Sequence, residues 1–112
     1  MSQPAMDAAA FAEMKEMMGD TFNDIVSLSI ESLPRQLAAI EQAIKTRDAD
    51  TLFNAAHKIK SSSGTIGAFG LAERAEAVEL VGRNGSADVD DADLQALRDA
   101  VDEVLAVLQK EI

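Results

Sequence analysis

The chain contains no cysteine, no tryptophan and no tyrosine. Without a thiol there is no disulfide, no thiolate metal site and no cysteine nucleophile. Histidine occurs once, at position 57, so a zinc site built on histidine and cysteine cannot be assembled. No run of about 18 apolar residues is present to span a membrane. The first residues, Met-Ser-Gln-Pro-Ala-Met-Asp, have neither a basic start nor an apolar centre, so no secretory leader is expected and a cytoplasmic protein is. Positive charge is scarce as well: ten Lys and Arg face twenty Asp and Glu, a net charge of -10. Such a surface repels a phosphate backbone, which argues against a nucleic-acid partner.

What is present favours helix. The 112 residues suit one domain over 1–112, with room for a core but not for a second catalytic module. Hydrophobic residues make up 47% and aromatics only 4%. Much of the apolar content is Ala and Leu, which prefer helix to strand. Repeats and low-complexity tracts are absent.

Residues 1–6 read as a loose lead-in. Asp7 can cap a short helix with Phe11, Met14 and Met18 as its stripe and Gly19 as its stop. From Asp20 to Thr46 the residues Phe22, Ile25, Val26, Ile30, Leu33, Leu37, Ile40 and Ile44 keep three-four spacing. Pro34 interrupts that segment, as a kink or as a break between two helices, and the unbroken apolar phase favours a kink. Asp48 is the expected cap of the next helix. Leu71, Ala75, Val78 and Val81 mark a further one, ended by Asn84 and Gly85, with Glu73, Glu76 and Glu79 placed on its solvated side. The aspartates before the last helix lack the spacing and terminal Glu of an EF-hand, so they are read as capping: Asp90, Asp91 and Asp93 complement the positive start of that helix. That helix carries Leu94, Leu97, Val101, Val104, Leu105, Leu108 and Ile112. The expected fold is all-α: an antiparallel up-down four-helix bundle with an additional short N-terminal helix laid across one end. Because the last seam is needed as a core wall, a monomer is expected.

The most informative stretch is Ala55 to Gly67. Leu52, Ala56, Ile59, Ser63 and Ile66 recur at helical spacing and must face inward. At about 100° per residue, His57 lies roughly 140° from Leu52, near the opposite side. Phe53, Lys60, Ser61 and Gly64 share its side. Gly64 in a helix interior costs about 1 kcal/mol relative to Ala, and three consecutive Ser add to this, so a helix built only to pack would not choose them. Gly64 could instead end the helix, but Ile66 stays in phase and Gly67 offers the stop one turn later.

A lone surface histidine is ordinarily just a polar residue. A Ser-His-Asp hydrolase lacks its nucleophile elbow here, a phosphate-cradling glycine loop is absent, and no carboxylate partners for a metal are placed near His57 by the sequence. An imidazole nitrogen is, however, a competent nucleophile toward phosphoryl groups, and a neighbouring ammonium can offset the oxygens it acquires. Lys60 lies one turn away and Lys58 is adjacent, while the small Ser61 and Gly64 leave the ring open to a large partner. The residues suit holding a phosphoryl group, not making one from ATP.

The run His57-Lys58-Ile59-Lys60-Ser61-Ser62-Ser63-Gly64-Thr65-Ile66-Gly67 resembles the signature of histidine-containing phosphotransfer (HPt) domains: His, any residue, an aliphatic, Lys, Gly, two small residues, then an aliphatic and Gly further on. Ser61 stands where that family usually has Gly; its hydroxymethyl is small enough to leave the ring accessible, and it is a candidate hydrogen-bond partner for the imidazole. The resemblance implies a relay intermediate of two-component signalling, with His57 as phosphoacceptor and Lys60, Lys58 and Ser61 as phosphoryl support. Phe53 and Gly64 would belong to the docking surface. The implied partners are response-regulator receiver domains and a hybrid histidine kinase, and the Mg2+ is expected on the receiver, with no cofactor or metal of its own. Three other readings stay open. One is the dimerisation and phosphoacceptor domain of a sensor kinase, whose motif has an acidic residue where Lys58 stands. Another is the phosphoacceptor module of a chemotaxis-type kinase, expected within a longer chain. The third is a non-phosphorylated helical adaptor in which His57 is incidental.

Overall fold

Several of the helix boundaries follow from local signals. In the computed structural model, which describes residues 3–112, the helices are α1 Ala8–Met18, α2 Thr21–Thr46, α3 Ala49–Thr65, α4 Phe69–Arg83 and α5 Asp91–Gln109. No strand occurs among the described residues. The Asp7 carboxylate accepts the Ala10 N–H at 3.0 Å and Asp48 accepts both the N–H and the hydroxyl of Thr51, each satisfying a donor that the first helical turn leaves unpaired. Gly19 follows α1 at φ 54° and Gly67 lies beyond α3 at φ 80°, a region costly for residues with a Cβ. Arg47 takes the same left-handed conformation after α2, where its N–H closes on Ala43 and Ile44.

The four long helices close a ring: α2 packs on α3, α3 on α4, α4 on α5, and α5 returns to α2. Arg98 on α5 seals the last contact through Glu41 on α2 at 2.6 Å. This is the up-down bundle expected from the periodicity. Val26, Leu33 and Ile40 meet Leu52, Ala56 and Ile59, with Leu71, Ala75 and Val78 and then Leu97, Val101, Val104 and Leu108 completing the core. The α1 helix covers one end: Phe11 packs on Phe22 of α2 with ring centroids 5.3 Å apart, and Lys15 reaches Glu111 beyond α5 at 2.7 Å.

Several expectations need correction. Residues 4–6 are no loose lead-in: Ala5 and Met6 are buried, and the Ala5 carbonyl accepts the Leu71 N–H at 3.1 Å. Since α4 has no side-chain cap, the N-terminal segment supplies a backbone carbonyl to its first turn instead. Residues 1 and 2 of that expected lead-in lie outside the described residues. The α2 helix passes through Pro34 as one element, which is the alternative that the unbroken apolar phase favoured over a break. Asp90 is at the start of α5 without a side-chain capping bond, and Asp91 and Asp93 occupy the first turn. Ile112 lies past the end of α5 and is exposed.

The contact that positions everything described next is between α3 and α4. A Cβ built on Gly82 would lie 2.7 Å from Phe53 N and 2.9 Å from Phe53 Cα, so the backbones approach closely because position 82 has no side chain. Gly82→Ala is therefore expected to push the two helices apart and destabilise the fold by about 1–3 kcal/mol. By contrast a Cβ on Gly64 meets nothing within 4 Å. Gly64→Ala should stabilise the helix by up to about 1 kcal/mol. Urea denaturation of both variants measures these opposite signs.

Candidate functional site

The antiparallel register of α3 and α4 pairs Phe53 with Gly82, His57 with Glu79, and Lys60 with Glu76. Descending α4 from the close approach at Gly82, Glu79 is one turn away and comes level with His57. Its carboxylate is 1% exposed, whereas the His57 side chain is 55% exposed. The two meet at 2.8 Å between Nδ1 and Oε2. An ionised carboxylate only accepts, so Nδ1 carries the proton and donates, and Nε2 keeps the free lone pair. Because Nδ1 faces the buried acid, Nε2 on the far edge of the ring is turned toward solvent.

Glu79 also gathers cations. Lys60 Nζ lies 2.8 Å from Oε1, and Arg83 Nη2 lies 3.7 Å from Oε2. Lys60 is further drawn toward Glu76 at 3.8 Å. Burial pushes the Glu79 pKa up, but the Lys60 and His57 hydrogen bonds and charges outweigh it, and the carboxyl is held below its ordinary 4.5. The ring face of His57 is covered by Phe53, one turn earlier on α3, at 5.9 Å between centroids with planes 16° apart. Arg83 in turn lies over the Phe53 ring at 5.9 Å. His57 is thus fixed by an acid at one edge and an aromatic on one face, with its nucleophilic edge open.

Of the residues singled out in the sequence, His57, Phe53 and Lys60 come together in this cluster. Ser61 and Gly64 are exposed along the same helix, as is Lys58. Ser61 makes no hydrogen bond to the imidazole; its carbonyl accepts the Thr65 hydroxyl at 3.1 Å, and the carboxylate oxygen that fixes the tautomer belongs to Glu79. Phe53 is half-buried, with one face on the site and its backbone under Gly82.

Glu79 is the functional residue that sequence reasoning missed, because it was placed with Glu73 and Glu76 on a solvated side. Those two are exposed; Glu79 is not. A signal was available: Glu79 follows Leu71 by eight residues and Ala75 by four, at the flank of the buried face rather than opposite it. Among the described residues, no group of three or more His, Asp or Glu is arranged to hold a metal ion. No helix among them is long and apolar enough to cross a membrane.

The pH dependence of stability follows from the lowered Glu79 pKa. A carboxyl whose folded value lies below its unfolded value stabilises the fold at pH above about 4.5 and loses that contribution as pH falls through the folded value. Glu79→Gln should be less stable than the parent by about 1–3 kcal/mol at pH 7. The gap should narrow steadily below pH 4.5. Thermal unfolding of both proteins between pH 3 and 7 measures it.

Residues 24–107 match the Hpt domain family. No curated protein sequence matches the chain. Among solved structures, histidine-containing phosphotransfer protein B from Pseudomonas aeruginosa PAO1 is similar over 98% of this chain and 96% of its own, with a TM-score of 0.86 and 24% identity. The HPT domain of a sensor hybrid histidine kinase from Shewanella is similar over 95% of this chain and 92% of its own, with a TM-score of 0.77 and 13% identity. These two share the bundle, and the family match covers the helices that carry His57 and Glu79, so the chain belongs to the Hpt domain family and has a phosphotransfer role in two-component signalling.

Proposed function

We propose that the chain, as one module over residues 1–112, is a phosphorelay intermediate that takes a phosphoryl group onto His57 from the aspartate of one receiver domain and passes it to the aspartate of another. The observation that carries this reading is the single histidine with Nδ1 bonded to a buried carboxylate and Nε2 left open at the surface. An in-line attack needs a lone pair free of hydrogen bonding and access for a second protein, and both are met on this edge. In this reading no ATP site is needed: the phosphoryl group arrives activated, and the Mg2+ that neutralises it belongs to the receiver.

Roles follow position. His57 is the nucleophile. Lys60 is bound to Glu79 and half-buried, so it steadies the charge balance beside the ring. Lys58 is exposed and supplies positive charge to the docked receiver in an otherwise acidic protein. Ser61 and Gly64 form the flat strip on which the receiver sits, and Phe53 backs the ring. The partners are response-regulator receiver domains and, upstream, a hybrid histidine kinase; a monomeric, cytoplasmic carrier fits these roles.

Mixing the purified protein with a panel of phosphorylated receivers tests the proposal. Label should appear on the protein, survive alkali, be lost in acid and be absent from His57→Gln. Binding of receivers without transfer to the parent protein would replace the relay by the adaptor reading. Gly64→Leu keeps the helix yet raises the strip under the partner, and should slow transfer by about 10²-fold without loss of stability.

A further inference from the structure

Three serines follow Lys60 in succession, and the structure gives each hydroxyl a different place. Ser62 donates to the Ile59 carbonyl at 3.3 Å, a bond within its own helix. Ser63 is fully buried. Ser61 is exposed, and its hydroxyl makes no hydrogen bond to another described residue. Thr65, one turn on, donates back to the Ser61 carbonyl at 3.1 Å; Ser61 makes no such bond to the carbonyl of His57.

An exposed hydroxyl is ordinarily left to water, and it is position that singles out Ser61. It follows His57 by four residues, and on a helix such residues have Cβ atoms about 5–6 Å apart. Helical side chains lean toward the N-terminus. The His57 ring does so: it lies against Phe53, four residues earlier, with planes 16° apart. That stack covers one face of the ring and leaves the other to Ser61, whose own side chain leans back toward it. The neighbouring donors are engaged elsewhere, since Nδ1 of His57 and Nζ of Lys60 each meet the Glu79 carboxylate at 2.8 Å. Beside the open Nε2 edge, one turn along α3, stands a hydroxyl with its proton uncommitted. We infer, on the strength of the relay reading, that the Ser61 hydroxyl donates a hydrogen bond to a phosphoryl oxygen once that group is on Nε2 of His57, and so biases the transfer equilibrium toward this protein and away from the receiver.

In the loading step the Nε2 lone pair attacks phosphorus, the N–P bond forms, and the P–O bond to the receiver aspartate breaks with its electron pair leaving on the carboxylate. The phosphoryl group brings three non-bridging oxygens, which lose the receiver's Mg2+ when that protein departs. Ser61 donates to one of them, a charge-assisted bond of about 2.5–2.7 Å. Its proton stays on Oγ and no covalent bond forms to serine. In the unloading step the N–P electron pair returns to Nε2, the phosphoryl group bonds to a carboxylate oxygen of the second receiver, and the Ser61 contact is given up. The bond belongs to the loaded protein, so it acts on how far the phosphoryl group moves onto His57. One hydrogen bond to a charged acceptor at an exposed position is expected to shift that equilibrium about three- to tenfold.

The test compares the parent with Ser61→Ala and Ser61→Gly, which lack the hydroxyl, and Ser61→Thr, which keeps it. The position is exposed and Ala is a better helix former than Ser, so Ser61→Ala retains the fold. Phosphoramidate, a small-molecule donor that bypasses receivers, loads His57 in each protein, and phosphorus-31 NMR follows the titration of the phosphoryl oxygens. A hydrogen-bond donor favours the more negative form, so the group should titrate about 0.5–1 pH unit lower in the parent and Ser61→Thr than in the Ala and Gly variants. In exchange with one receiver, the equilibrium constant for loading should fall about three- to tenfold in Ser61→Ala and Ser61→Gly and stay near the parent value in Ser61→Thr. Equal phosphorus titration in all four proteins would overturn the inference. So would an equilibrium ordered by side-chain size, with Gly most loaded and Thr least, which is the result of a strip that acts by bulk alone. No loading of the parent by phosphoramidate would overturn it as well. Failure of every receiver to exchange with the parent, with its phosphoryl group still titrating below that of Ser61→Ala, would count against the relay reading and leave the Ser61 contact standing.

Discussion

The site depends on one buried carboxylate. Moving an ion such as Glu79 out of water is unfavourable by several kcal/mol unless its charge and lone pairs are met. It is met by Lys60, His57 and Arg83 together, so the negative charge, the positive charges and the exposed imidazole form one unit. Removing any member changes the surroundings of the others. The pairing also explains why α3 carries a lysine one turn after its histidine while α4 carries an arginine one turn after its glutamate: each helix brings one cation to the same acid.

That unit exists only because the helices are close. Gly82 lets the α4 backbone settle against Phe53, and the antiparallel register then brings Glu79 level with His57. The far end of the same helix pair is held by a different device. The segment before α1 lays Ala5 and Pro4 against the start of α4, where Gly70 leaves room for the Pro4 carbonyl and Leu71 donates to Ala5. Close backbone contact is thus made at both ends of α4, through Gly70 near its start and Gly82 near its finish. Glu79 sits between them on a helix with little freedom to shift.

Much of this was legible from spacing. The apolar stripes of α2, α3 and α5, the aspartate caps at 7 and 48, and the glycine stops at 19 and 67 all act through residues within one or two turns, and such signals survive in a linear chain. The placement of His57 on the outward side of α3 followed from the same arithmetic. The lead-in was misread because Ala5 and Met6 are buried by residues more than sixty positions later, and nothing near them in sequence announces it.

The amino-acid order by itself determined which residues form helices, which stripe of each turns inward and that the one histidine turns outward, since these depend on periodicity along a single helix. Only the tertiary structure decided what stands beside that histidine. A helical phase gives the direction of a side chain relative to its own axis, and a flank position such as that of Glu79 is wet or dry according to the distance and register of the neighbouring helix. Both were set by the absence of a side chain at Gly82, and they turned one of three similar glutamates into the acid that orients His57.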